Sequence, residues 1–150
     1  MYSDIYMKFA IDMAKVAFND NEVPVGAIVV KDEKIIGKGS NQVIDKNSVS
    51  AHAEIIAINN ASKILNNYRL NECSIYVTLE PCHMCAKAIV DARIDHLYFG
   101  AMEPKTGAIK SIDKFLERKD LNHRVIYSGG YLENESSELL KSFFKSKRKK

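Results

Sequence analysis

Residues 73–94, CSIYVTLEPCHMCAKAIVDARI, contain the strongest structural signal in the chain. Residues 73–79 are rich in β-branched and aromatic side chains, which is typical of a strand. Residues 81–94 are typical of a helix, with Pro81 suited to its first turn. Cys82 and Cys85 lie in that turn, where residues three apart face nearly the same side. The pair could be half of a disulfide framework, a redox pair, a structural metal clip or part of a catalytic metal site.

On either side of this segment, helices and strands alternate. We predict further helices over residues 3–18, 51–65 and 131–150, and further strands over 23–30, 34–43, 96–101 and 123–129. The KDEK sequence of residues 31–34 suits a hairpin turn, and Ser50 suits the cap of the second helix. This alternation predicts one α/β layered domain over residues 1–150, with its sheet covered on both faces.

Composition excludes several classes of protein. The 150 residues are 46% hydrophobic and 27% charged, as in an ordinary globular domain. No apolar run reaches the roughly 18–20 residues that a membrane span needs. The first ten residues lack the layout of a secretion signal, so we expect a cytoplasmic protein with no membrane partner. Three cysteines in a reducing compartment make a disulfide framework a poor explanation of the cysteine pair.

The positive charge is concentrated at the C-terminus. The net charge is +3, but the last ten residues hold six of the 22 basic residues and no acidic one, so residues 1–140 carry −3. Such a basic tail, at about residues 141–150, favours a polyanion such as RNA or DNA. A merely solubilising terminus would have the same composition.

A metal site requires a third ligand, and His52 is suited to it because the helix over 51–65 begins there. Two thiolates and one imidazole leave one position of a tetrahedral Zn²⁺ open, which is typical of a catalytic site. At the first turn of a helix, Glu54 could reach that position and act as a base. The pattern of HAE followed by PCHMC is that of zinc-dependent nucleobase deaminases. A structural clip or a redox pair remains the alternative.

The chain also resembles one branch of that superfamily, the bacterial tRNA-specific adenosine deaminases. Segments similar to this branch are EVPVGAIVV (22–30), AHAEI (51–55), YVTLEPCHMCAKAIVDARI (76–94), KTGA (105–108), NHRV (122–125) and LLKSFFKSKR (139–148). The resemblance implies a three-layer α/β/α fold with a central five-stranded mixed sheet, of the cytidine deaminase type. It also implies a homodimer with one Zn²⁺ per subunit and no other cofactor.

The resemblance implies a role for each matching residue. His52, Cys82 and Cys85 would bind zinc, and Glu54 would transfer protons during hydrolysis of adenosine to inosine at the wobble position of a tRNA anticodon loop. The residues expected to contact the target base or its loop are Asn41, Val25, the backbone at Ala53, Phe144, Lys145, Lys147 and Arg148. Of Phe143 and Phe144, at least one is expected to pack in the core.

Other functions fit parts of the same evidence. A zinc-dependent deaminase of a free base or nucleotide, of the guanine or cytosine type, would keep the zinc ligands but need no basic tail. A zinc-stabilised RNA-binding module would need no Glu54. His83 stands where the family usually has a small apolar residue and is not expected to be a ligand. His96 and His123 are expected to have structural roles.

Overall fold

The computed structural model describes residues 1–148, so Lys149 and Lys150 of the basic tail lie outside the described part of the chain. The elements follow one another as α1 (Asp4–Asn19), β1 (Gly26–Lys31), β2 (Lys34–Ser40), α2 (Ala53–Leu65), β3 (Ser74–Leu79), α3 (His83–Asp91), β4 (His96–Ala101), a short 3₁₀ turn (Phe115–Glu117), β5 (Ile126–Ser128) and α4 (Glu133–Arg148). Within this described range, no helix has both the length and the apolar composition that crossing a membrane requires.

The five strands form one mixed sheet in the order β2-β1-β3-β4-β5. Strand β1 is antiparallel to both β2 and β3, whereas β3, β4 and β5 are parallel. The predicted hairpin is confirmed, since Lys31 pairs with Lys34 across Asp32 and Glu33. Both turn residues have positive φ, at 51° and 63°, as a two-residue turn of the favoured hand requires.

Helices cover both faces of the sheet, which confirms the predicted three-layer architecture. Alternate strand residues point to opposite faces, so Ala27 and Val29 pack in one core cluster while Ile28 and Val30 pack in another. The first cluster takes its helical side chains from α2 and α3. The second takes Met7 and Ala10 from α1, which also packs against α4.

Three predicted helix starts are wrong by two residues, and one of them is that of α4, which begins at Glu133 and not at residue 131. Helix α2 begins at Ala53, with His52 and not Ser50 at the cap, because residues 48–51 form a turn closed by the Ala51 amide on the Ser48 carbonyl at 3.2 Å. Helix α3 begins at His83, with Cys82 at its cap. Pro81 precedes this helix, and its carbonyl accepts the Ala108 amide at 2.9 Å.

Strand directions bring distant parts of the chain to one edge of the sheet. Because β1 runs antiparallel to its two neighbours, its start lies beside the ends of β2 and β3, and Gly26 pairs with Ser40. The Asn41 amide donates to the Val25 carbonyl at 3.2 Å just beyond that pair. Helices α2 and α3 begin near the same edge, which therefore holds the candidate site.

Candidate active site

The proposed metal ligands lie at the N-termini of α2 and α3. His52 and Cys82 both occupy cap positions with extended backbone, at φ/ψ of −74°/151° and −77°/177°. Neither side chain makes a capping hydrogen bond at the start of its own helix. Each is therefore free to point beyond the helix end, where the helix dipole favours a thiolate.

The structure brings His52, Cys82 and Cys85 together. The His52 Nδ1 lies 3.7 Å from the Cys82 Sγ and 3.5 Å from the Cys85 Sγ. All three ligand atoms lie within 4.8 Å of one another, a spacing that allows one metal ion to contact them all. Within residues 1–148, no other group of three histidine, cysteine or acidic side chains meets this spacing.

Protons are unevenly shared among these groups. A hydrogen bond from Cys85 lowers the pKa of Cys82 to about 4, so Cys82 is a thiolate at neutral pH. The same bond and burial raise the pKa of Cys85. The hydrogen bond to Cys82 also raises the pKa of His52. The group holds a thiolate and a second sulfur that a metal would have to deprotonate, as expected for ligands whose charge a cation balances.

Glu54 lies in the first turn of α2, two residues after His52. It is 4% exposed, and its carboxyl group faces a cavity together with His52 and Cys82. Burial raises the pKa of Glu54 to about 7. A carboxyl group with a pKa near neutrality can both accept and return a proton, which is the property of a general acid–base catalyst.

A cavity of about 280 Å³ opens onto the metal group and Glu54. Its walls are mainly apolar, and Val25, Val43, Ile44 and Leu79 contribute to them. Asn41 also lines it, and its Oδ1 accepts the Ala53 amide hydrogen at 2.9 Å. This bond both caps α2 and fixes the amide, so that the Asn41 Nδ2 remains as a donor.

Two buried glutamates beside the cavity were not predicted from the sequence to have a role in the site. Glu22 is 2% exposed and accepts the amides of Ile44 and Asp45 at 3.1 and 2.8 Å. Glu80 is equally buried and accepts amides from residues 103–111. Each glutamate therefore holds one loop against the cavity. The only sequence signal was an acidic residue next to an apolar strand, which does not identify its distant partners.

The C-terminal helix separates its two phenylalanines. Phe143 is 5% exposed, which confirms that one of the pair packs in the core, whereas Phe144 is 45% exposed. Phe144, Lys147 and Arg148 line a second cleft together with Lys105. Lys145 is exposed but does not line that cleft.

The other histidines lie outside the metal group. His83 Nε2 pairs with Asp113 at 2.8 Å, and half of the His83 side chain is exposed. His96 stacks on Tyr98 with ring centroids 5.9 Å apart. His123 Nε2 bonds to the Ile94 carbonyl at 2.8 Å. These contacts agree with the structural roles predicted for His96 and His123.

Known proteins share this fold and are similar in sequence over nearly the whole chain. The chain matches the MafB19-like deaminase family over residues 1–148. It is 46% identical to a tRNA-specific adenosine deaminase of Rickettsia bellii, over 95% of this chain and 99% of that protein. A structure from a study of A-to-I editing by tRNA:A34 deaminases at the wobble position of transfer RNA superposes with a TM-score of 0.89 and 41% identity, covering 92% of this chain and all of the other. The structure of a guanine deaminase from Bacillus subtilis is 29% identical and superposes with a lower TM-score of 0.66, covering all of this chain and 96% of the other.

Proposed function

Because this chain belongs to the MafB19-like deaminase family, and is similar over nearly its whole length to tRNA-specific adenosine deaminases, we propose that it hydrolyses adenosine to inosine in tRNA. The target is the wobble position of an anticodon loop, the position named for the similar solved structure. The observation that carries the proposal is the buried Glu54 beside three convergent ligand atoms at the wall of an apolar cavity.

Zinc is the proposed metal, held by His52, Cys82 and Cys85 at one ion per subunit. Zinc bonds of about 2.3 Å to sulfur and 2.0–2.1 Å to nitrogen, at tetrahedral angles, place the sulfur and nitrogen ligands about 3.6 Å apart. The two sulfur–nitrogen distances here are 3.5 and 3.7 Å, so the side chains already have the separation that zinc requires. When bound, zinc supplies a Lewis acid that lowers the pKa of water towards about 7.

Glu54 is the proposed catalytic acid and base. It takes a proton from the water that attacks C6 of adenine, and delivers it to the ring nitrogen N1. The same carboxylate then takes the proton of the new C6 hydroxyl and gives it to the exocyclic amine, which leaves as ammonia while C6 becomes a carbonyl, so adenosine and water give inosine and ammonia. Its burial excludes bulk water from the carboxyl group and keeps the transferred proton available to the substrate.

Asn41 and Val25 are proposed to orient the base. The Asn41 Nδ2 can donate to a ring nitrogen of adenine, since the Oδ1 is occupied by the Ala53 amide. Val25 is 5% exposed and offers an apolar surface to the base. The backbone at Ala53 is the further proposed contact. The nucleotide must leave the stack of neighbouring bases to enter the cavity. This unstacking costs a few kcal/mol, and the cost is smallest for an unpaired base in a loop.

The second cleft is proposed to bind the RNA beside the target nucleotide. Phe144 offers an exposed ring on which a base can stack, and Lys145, Lys147 and Arg148 offer positive charge to phosphates. We further propose that the enzyme is a single deaminase domain that acts as a cytoplasmic homodimer.

Incubation of the purified zinc-loaded protein with a tRNA carrying a wobble adenosine tests this function. The protein should convert that nucleoside to inosine, and Glu54→Ala should reduce the rate at least a thousandfold while keeping the metal. The same tRNA with guanosine at the wobble position is the control for position. Faster release of ammonia from free guanine or cytosine than from tRNA would favour the alternative enzyme, and tight tRNA binding without ammonia release would favour a binding module.

A further inference from the structure

Glu80 directly follows strand β3 and precedes Cys82 by two residues, and its carboxylate makes its hydrogen bonds to residues 103–111. The Oε2 accepts three consecutive backbone amides, those of Ile109, Lys110 and Ser111, at 3.0, 2.7 and 2.9 Å. The Oε1 accepts the Glu103 amide at 3.0 Å and the Ser111 hydroxyl. One carboxylate therefore binds both ends of the segment 103–111, which we call the Glu80 loop.

The Glu80 loop contains no helix or strand, so its conformation depends on such contacts. The backbone at Gly107 packs directly on the carboxylate, because a Cβ at this position would lie 2.3 Å from the Glu80 Oε1. The Ala108 amide adds a bond to the Pro81 carbonyl at 2.9 Å. A buried charge held by several backbone donors is strongly stabilised, and losing it leaves those donors without an acceptor.

The Glu80 loop joins the two parts of the proposed binding surface. Thr106 lines the cavity beside Glu54, and the preceding residue, Lys105, lines the second cleft with Phe144 and Arg148. Two adjacent residues of the loop therefore line the two different parts of the proposed binding surface. A displacement of the loop would move both at once.

We infer that Glu80 is a positioning residue, which holds the Glu80 loop so that Thr106 faces the target base while Lys105 faces the RNA backbone. The inference rests on the proposed function. Glu80 acts through the loop and not on the reacting atoms, so its loss should weaken substrate binding more than it slows the chemical step. The three ligands and Glu54 lie at the starts of α2 and α3 and make none of these five bonds.

Replacements of Glu80 and its partner give a graded test. Glu80→Gln keeps the size of the side chain but replaces one acceptor oxygen by a donor, which cannot accept the loop amides. Ser111→Ala removes one of the five bonds and keeps the buried charge. Glu72→Gln is the matched control, because Glu72 is exposed at the opposite end of β3.

The experiment measures kcat and KM for inosine formation in an anticodon stem-loop, together with zinc content and amide hydrogen exchange. For Glu80→Gln we expect KM to rise about tenfold or more with kcat within about threefold, and amides 109–111 to exchange at least about tenfold faster. Ser111→Ala should raise KM about threefold, and Glu72→Gln should change neither constant. One zinc per chain should remain in every variant.

Three results would overturn the inference: unchanged exchange in Glu80→Gln, faster exchange with an unchanged KM, or a fall in kcat alone. If Glu80→Gln does not fold, an unchanged KM in Ser111→Ala overturns it. If the wild-type protein forms no inosine, the proposed function fails by itself. The Kd for a fluorescently labelled anticodon stem-loop then decides the inference, which requires weaker binding by Glu80→Gln than by the wild type.

Discussion

Phe143 and Phe144 are neighbours in α4 with different surroundings, and their replacement by alanine should have opposite consequences. Phe143 is 5% exposed and meets the ring of Phe18 nearly edge-on, with centroids 6.0 Å apart. Phe144 is 45% exposed and lines the cleft that also contains Lys105. Loss of the first ring leaves a cavity between α1 and α4, whereas loss of the second removes a surface on which a base can stack.

The size of the stability effect follows from this burial. Replacing a buried phenylalanine by alanine costs about 3–5 kcal/mol, and we expect about 3 kcal/mol for Phe143 because it lies near the end of its helix. In a chain of this length, that corresponds to a fall in Tm of roughly 6–12 °C. Phe144→Ala should change the free energy of unfolding by about 0.5 kcal/mol or less, as an exposed position does.

For RNA binding the two variants should exchange roles, with a weaker complex for Phe144→Ala and little change for Phe143→Ala. Stacking of a base on an aromatic ring is worth about 1–3 kcal/mol. Phe144→Ala should therefore raise the Kd for an anticodon stem-loop roughly 5- to 150-fold. Phe143→Ala should change the Kd by less than about threefold at a temperature where the variant is folded.

Thermal unfolding and fluorescence anisotropy with a labelled stem-loop measure the two effects. Phe9→Ala is the matched control, since Phe9 is 42% exposed on α1 and lines neither the cavity nor the second cleft. It should change neither quantity appreciably. A large loss of stability in Phe144→Ala, or an unchanged Kd in the same variant, would refute the division of the two rings into core and binding surface.

Three further changes test the packing, the substrate contact and the thiols. Gly26→Ala should destabilise the protein by more than about 3 kcal/mol in urea unfolding, because its Cβ would lie 2.0 Å from the Ala10 carbonyl oxygen and must displace α1; a loss below about 1 kcal/mol would contradict this close approach. Asn41→Asp keeps the acceptor that caps α2 but loses the amide donor, so kcat/KM for inosine formation should fall roughly 5- to 150-fold with little change in Tm; unaltered kinetics would exclude the proposed contact. After removal of metal by a chelator, iodoacetamide at pH 6 should label Cys82, whose pKa is lowered to about 4 by the hydrogen bond from Cys85, and spare Cys73, whose pKa burial raises to about 11. Equal labelling by mass spectrometry would argue against this assignment of the thiolate.

The order of the elements was predictable because residue types and apolar spacing differ clearly along the chain. Segments rich in β-branched and aromatic residues identified the strands, and the helical spacing of apolar residues identified α1. Helix starts were less predictable, since a serine that could cap α2 stands only two residues before the true cap. The folded structure uses His52 there because the chain from 48 to 51 is already closed in its own turn.

The sequence also did not predict which of the two phenylalanines is buried, because adjacent residues on a helix point about 100° apart and either could pack in the core. The structure buries Ser136 and Phe143, which are seven residues and so about two turns apart. This stripe leaves Phe144 on the exposed side. A helical pattern with leucines at both 139 and 140 could not distinguish these two registers.

The metal group was predictable because its ligands lie in two short local patterns, whereas the glutamates that support the loops were not. Glu80 binds backbone amides 23 to 31 residues away, and backbone amides leave no signature in a sequence. A buried acidic residue is costly unless it is satisfied, so its burial becomes informative only once the structure locates its partners. The same reasoning applies to Glu22 and its amide partners at residues 44 and 45.

The contrast between catalytic groups at helix ends and cavity loops held by distant carboxylates indicates how one fold can serve several substrates. The proposed catalytic groups stand on the ends of α2 and α3, which pack against the sheet and cannot move independently of it. The cavity walls at residues 43–44 and 106 come from loops that are each held by one carboxylate. A change within a loop can therefore alter the shape of the cavity while the metal ligands stay in place.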